Sequence, residues 1–213
     1  MRRYLTEFIG TLFFVLTIGL VVTPGHDRPM APLVIGSVLM VLVYMGGHVS
    51  GAHYNPAVTL AVFLRKKLPG RDVAPYMIAQ LLGAMVGAYL SYILLDRTFA
   101  PAPGVVATPF TALVVEILYT FLLALTVLNV AVSKHTQGNS YYGLAIGFAI
   151  VIGAFAGGPV SGGVYNPAIG TGTILINGLV GGGSFAHAWL YLVGPFAGAA
   201  LATVVFKVQE GPA

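Results

Sequence analysis

GGHVSGAHYNPA at residues 46–57 and GGPVSGGVYNPA at residues 157–168 decide how this chain folds. The two stretches agree at nine of twelve positions and share their asparagines, Asn55 and Asn166. Upstream of each, a second correspondence keeps nearly the same offset: TEFIGTLFF around Glu7 echoes VEILYTFLL around Glu116. Paired matches at one offset make the chain an internal repeat, with halves at about 1–100 and 106–213 of one domain covering residues 1–213.

Each motif opens a short apolar segment headed by Asn-Pro, at 55–65 and 166–176. Ten helical residues rise only about 15 Å, half of a hydrocarbon core of roughly 30 Å. Six other apolar stretches are long enough to cross it: about 4–23, 31–48, 73–95, 108–132, 141–157 and 184–206. The first follows Met1-Arg2-Arg3. It is too long for a signal-peptide core and lacks an A-x-A-like cleavage site, so it reads as retained. Three crossings per half is an odd number, so the second half enters from the opposite side. The fold class expected is therefore an all-α membrane protein: an inverted repeat of six transmembrane helices plus two re-entrant half-helices. Such repeats bring interrupted helices together at the midplane, where they line a cavity or pathway.

Composition agrees. The 213 residues are 57% hydrophobic and 8% charged, with no cysteine, and mean hydropathy is +0.90. Soluble domains carry about 25% charged residues, so a soluble enzyme and a disordered chain are excluded, as are disulfides and thiol chemistry. The net charge of +4 comes without a basic cluster interleaved with aromatics, so no nucleic-acid partner is expected. Six crossings put eight of the ten Lys and Arg residues on the side of the termini and leave Arg28 and Arg97 opposite. Positive charge is retained in the cytoplasm, which predicts cytoplasmic termini and a multi-pass protein of the cell (inner) membrane.

These residues resemble the aquaporin and aquaglyceroporin family, the major intrinsic proteins. That family carries two Asn-Pro-Ala motifs on half-helices, matched here by Asn55-Pro56-Ala57 and Asn166-Pro167-Ala168. PYMIAQLLGA at 75–84 and WLYLVGPFAGAAL at 189–201 look like the family's third and sixth helices. Glu7 and Glu116 sit where the family keeps a glutamate that braces the re-entrant loops. The resemblance implies a passive channel for water or small uncharged solutes such as glycerol, urea or ammonia, one pore per subunit, a homotetramer in the lipid bilayer, and no enzymatic activity.

The motif has a physical logic. Proline suits the first helical turn, and asparagine before it is a favoured N-cap whose side-chain oxygen accepts a backbone N–H. Its NH₂ group is then expected to donate into a pore. Each helix N-terminus carries roughly +0.5 elementary charge, so two meeting at a narrow midplane raise the energy of a cation there. Gly46, Gly47, Gly51, Gly157, Gly158, Gly162 and Gly163 are expected to let the preceding backbone run extended.

The family's filter departs here. The arginine usual after the second motif is replaced by Ile169, and ungapped counting gives Ile35, Ala154 and Gly163 as the other filter positions. Such a mouth is wider and greasier than a strict water filter, and the aspartate usual in glycerol channels is absent as well. Tyr54 and Tyr165 either narrow the midplane or pack into the protein body. His53 is a candidate for a pore-lining or structural role, and His48, in the same loop, for pH gating. No carboxylate or cysteine joins the histidines, so neither a metal nor a cofactor is expected. Small residues at Gly83/Gly87 and Gly194/Gly198 allow close helix packing. A secondary transporter and a closed-pore structural protein are the alternatives to a channel.

Overall fold

The computed structural model describes residues 1–25 and 28–211. Among these there are eight α-helices: α1 (Arg2–Val22), α2 (Ala31–Ser50), α3 (Pro56–Leu64), α4 (Gly70–Leu95), α5 (Pro109–Val127), α6 (Tyr142–Ser161), α7 (Pro167–Gly181) and α8 (Leu190–Glu210). A π-helical turn at Leu128–Val132 carries α5 on to 24 residues. Six helices are thus long and apolar enough to cross a membrane, and α3 and α7 are the short pair.

The helix ends explain themselves. Pro56, Pro109 and Pro167 stand in first turns, where a missing N–H is harmless. Thr108 caps α5 in a reciprocal box with Thr111. α2 and α6 stop at Gly51 (φ 89°) and Gly162 (φ 90°), left-handed positions that glycine alone adopts without steric cost and that turn the chain back inward.

Four expected boundaries move. α2 and α6 run through Gly46, Gly47, Gly157 and Gly158, so only residues 51–54 and 162–165 are non-helical, and most of these are left-handed rather than extended. Those helical glycines do packing work instead: a methyl at Gly46 would strike the Tyr54 hydroxyl, and one at Gly157 the Tyr165 hydroxyl. α7 continues past 176 to a left-handed Gly182, because nothing in TGTILING ends a helix. α8 starts at Leu190 rather than near 184, after the triple glycine 181–183 and a turn.

The long helices pair within each half, α1 with α4 and α5 with α8, and across the repeat through α2 and α6. Gly83 and Gly87 of α4 press on the Phe8 and Leu12 carbonyls of α1, and Gly194 and Gly198 of α8 press on Glu116 and the Ile117 carbonyl of α5. Both small-residue faces are used inside the chain. α2 and α6 cross where Gly36 and Gly147, equivalent positions of the two halves, each occupy the space beside the other's carbonyl oxygen. Outward faces such as Phe148, Ile152 and Phe155 of α6 stay exposed and apolar, as a lipid solvent requires.

Candidate functional site: a passage through paired half-helix tips

Asn55 caps α3 with its Oδ1 accepting the Ala57 N–H at 2.8 Å, and Asn166 caps α7 through Ala168 N–H at 3.0 Å. The two tips hold each other. Asn55 Nδ2 donates to the Tyr165 carbonyl at 2.9 Å, and Asn166 Nδ2 donates to the Tyr54 carbonyl at 2.8 Å. A carboxamide has two N–H donors. One of each pair is therefore committed to the opposite half, and only the other is left for the lumen; the expectation of a wholly free NH₂ is corrected.

Tyr54 (φ 49°) and Tyr165 (φ 51°) are non-glycine residues in the left-handed region, a conformation that persists when its surroundings over-determine it. They do so at three points. The Tyr54 N–H donates to Glu7 Oε2 at 2.7 Å, its carbonyl accepts from Asn166, and its hydroxyl donates to the Leu42 carbonyl at 3.0 Å. Tyr165 repeats this with Glu116 Oε2 at 2.7 Å, Asn55, and the Gly153 carbonyl at 2.8 Å. Both rings are buried in the helix body and line none of the cavities described below. The rings thus pack into the protein body, against Gly46 and Gly157.

Glu7 and Glu116 are fully buried. Glu7 accepts from Ser50 Oγ (2.6 Å), His53 N (3.0 Å), Tyr54 N and Gln80 Nε2 (2.8 Å). Glu116 accepts from Ser161 Oγ (2.8 Å), Val164 N (3.0 Å) and Tyr165 N. A carboxylate at this depth is tolerable only with such partners. Each one gathers the orphaned N–H groups of a non-helical loop that has no sheet or helix to satisfy it.

Three cavities follow one another past the tips. A vestibule of about 580 Å³ is lined by all four expected filter positions, Ile35, Ala154, Gly163 and Ile169. The neck, about 20 Å³, lies between Asn55, Asn166 and His53 and the apolar Phe14, Leu39 and Ile150. A water needs on the order of 10–15 Å³ by this measure, so molecules pass the neck one at a time. Beyond it a second vestibule, of about 360 Å³, opens among Gly51, Ser133, Gln137, Asn139 and Tyr142. Phe14, Ile150 and Val164 line both the first vestibule and the neck, and Ala52, Val127 and Ile146 both the neck and the second vestibule. Among the described residues no Lys, Arg, Asp or Glu lines any of the three.

His53 is buried at the neck, its Nδ1 3.1 Å from Thr59 Oγ1 and its ring tilted against Tyr76. His48 is exposed and lines none of the three cavities. The sequence reading missed Phe99, Thr98 and Asn177, all of which line the first vestibule. Thr98 Oγ1 donates to Asn177 Oδ1 at 2.7 Å, tying the loop between the halves to α7. Ile169, Thr173 and Asn177 form an i, i+4, i+8 stripe that was readable had α7 been followed past residue 176.

Six spanning helices around an uncharged passage, pinched between two opposed half-helix tips, define a channel-type membrane protein. Residues 1–206 match the model of the major intrinsic protein family, and the chain belongs to that family. It is 33% identical to "Aquaporin NIP1-1" of Oryza sativa subsp. japonica, over 97% of this chain and 74% of that protein. It is 35% identical to "Glycerol uptake facilitator protein-like 6" of Lactiplantibacillus plantarum, over 98% of each. The X-ray structure of the aquaglyceroporin from Plasmodium falciparum shares the fold, with a TM-score of 0.86 over 98% of this chain and 96% of that one, at 24% identity. The protein is a membrane channel of this family and not an enzyme.

Proposed function

We propose that this channel passes water together with hydroxylated solutes of glycerol size, and that Asn55, Asn166, Ile35, Ala154, Gly163 and Ile169 set its selectivity. The observation that carries the reading is the pairing of a wide, uncharged vestibule at the four filter positions with a neck offering two side-chain donors. A mouth without a fixed charge discriminates by size and leaves hydrogen-bond matching to the neck. There the remaining N–H of each asparagine meets a passing oxygen, while the two helix N-termini disfavour cations and protons. Both relatives' names, one an aquaporin and one a glycerol uptake facilitator, support a pore of this breadth.

The proposal extends to assembly and placement: a homotetramer in the cell (inner) membrane with both termini cytoplasmic, supported by the family and by the eight-to-two distribution of basic residues. Stopped-flow light scattering on proteoliposomes tests the permeation claim. Water and glycerol permeability should both exceed that of empty liposomes, rise linearly with gradient and show a low activation energy. Water flow without glycerol flow would overturn the wide-mouth assignment.

A further inference from the structure

On the face that carries the termini, a cleft of about 640 Å³ lies apart from the passage, lined by Leu64, Arg65, Lys66, Thr203, Val204 and Lys207. Three of the six residues are cations. Among the described residues the one salt bridge joins Arg3 to Asp72, and no carboxylate lines the cleft. The Thr203 hydroxyl is already taken by the Ala200 carbonyl at 2.7 Å, so recognition falls to the charges. Arg65 and the turn that follows it are held in place. The turn after α3 is fixed by Lys66 N–H on the Phe63 carbonyl (2.8 Å) and Lys67 N–H on the Val62 carbonyl (3.1 Å). The Arg65 guanidinium sits 5.2 Å over the Phe206 ring, and its Nε is buried with no hydrogen-bond partner. Leu64 and Val204, 44% and 64% exposed, continue the cleft as apolar surface.

We propose that this cleft binds the phosphate headgroup of an anionic membrane lipid. Cations at the end of half-helix α3 and near the end of spanning helix α8, with bare aliphatic surface beside them, match an amphiphile with a negative head and apolar tails. A basic pocket between transmembrane helices at the membrane surface is a setting where anionic headgroups bind. A free anion would satisfy the charges and leave Leu64 and Val204 unused. The site is independent of which neutral solute permeates.

The test uses the full chain in neutral detergent, with thermal unfolding followed during titration of short-chain phosphatidylglycerol, short-chain phosphatidylcholine or inorganic phosphate. Binding to the folded state raises the midpoint with concentration. Phosphatidylglycerol should raise it and phosphatidylcholine should not. At about 1 kcal/mol per basic residue, the double variant Lys66→Gln/Lys207→Gln should bind phosphatidylglycerol roughly thirty-fold more weakly. Arg2→Gln/Arg71→Gln removes the same charge from the same face outside the cleft and should bind like the parent. Equal weakening in both doubles, or an equal shift from phosphatidylcholine, overturns the site. A full shift from inorganic phosphate overturns the lipid as its occupant. Water permeability of both doubles in phosphatidylcholine liposomes should match the parent, which separates this claim from the permeation reading.

Discussion

The two re-entrant loops share one skeleton and differ in what fills it. In each, a buried glutamate collects a serine hydroxyl and two consecutive backbone N–H groups, a left-handed tyrosine follows, and its carbonyl is grasped by the asparagine of the other half. Around the first loop lies a polar knot: Thr59 Oγ1 is 3.1 Å from His53 Nδ1 and accepts from Gln80 Nε2 at 2.9 Å, and Tyr76 donates to the Ser50 carbonyl at 2.8 Å. The offset that carries Asn55 onto Asn166 carries His53, Thr59 and Gln80 onto Val164, Gly170 and Tyr191. There a single hydroxyl, Tyr191 Oη, serves the Ser161 carbonyl at 2.7 Å, and its side chain closes over Gly170. What the repeat keeps is the satisfaction of a buried backbone. The surrounding volume is free to be polar in one half and apolar in the other, provided that no donor is stranded.

That comparison breaks most visibly at the glutamates. Glu116→Ala strands three donors and Glu7→Ala four, at about 1–3 kcal/mol each, against a total stability of about 5–15 kcal/mol. Both should lose most folded protein in detergent by size-exclusion chromatography, with Glu7→Ala the worse. The reverse order would mean that donor count does not govern the loops.

Next come the asparagines. Asn55→Ala and Asn166→Ala each remove a cap and a cross-half bond, about 2 kcal/mol together. Their unfolding midpoints should fall by similar amounts, and proton leak measured with an entrapped pH dye should rise in both. A leak confined to one variant would show that the halves do not share the barrier. Where the halves diverge, the same site should fail for opposite reasons. Thr59→Val leaves His53 Nδ1 without its partner, about 1–2 kcal/mol, whereas Gly170→Ala drives a methyl into Tyr191, about 1–3 kcal/mol. Adding Tyr191→Ala to each variant distinguishes them, because it should relieve the second and not the first.

The smallest effect lies at the mouth. Ile169→Arg should reduce glycerol permeability about five-fold more than water permeability, roughly 1 kcal/mol of discrimination. Equal losses in stopped-flow traces would remove Ile169 from the filter.

Much of this was legible because it is written in repetition. Two Asn-Pro-Ala segments too short to span a bilayer, matched by two glutamates at nearly the same offset, gave the half-helices and the partners of their loops. Ile169 after the second motif, with Ile35, Ala154 and Gly163 counted back from the asparagines, line one vestibule. What was not legible depended on direction rather than position. Nothing in YNPA says whether the tyrosine ring points to the lumen or into the helices, since that is set by Gly46 and Gly157, residues that read equally well as loop glycines. The length of α7 escaped because an apolar run without proline or charge has no internal stop, and Asn177 escaped with it. The cross-half amide bonds join the tip of each half to a carbonyl of the other, beyond the reach of any local pattern.

The neck of about 20 Å³ stands between chambers of about 580 and 360 Å³, and that profile governs traffic. A long narrow tube would oblige a whole column to advance together, so that osmotic flow far outruns the exchange of labelled water. Here the neck has room for only one or two molecules. Isotope exchange across the membrane should therefore keep pace with osmotic flow within a small factor, and throughput should be metered at a single crossing point while both antechambers stay in equilibrium with their own bath.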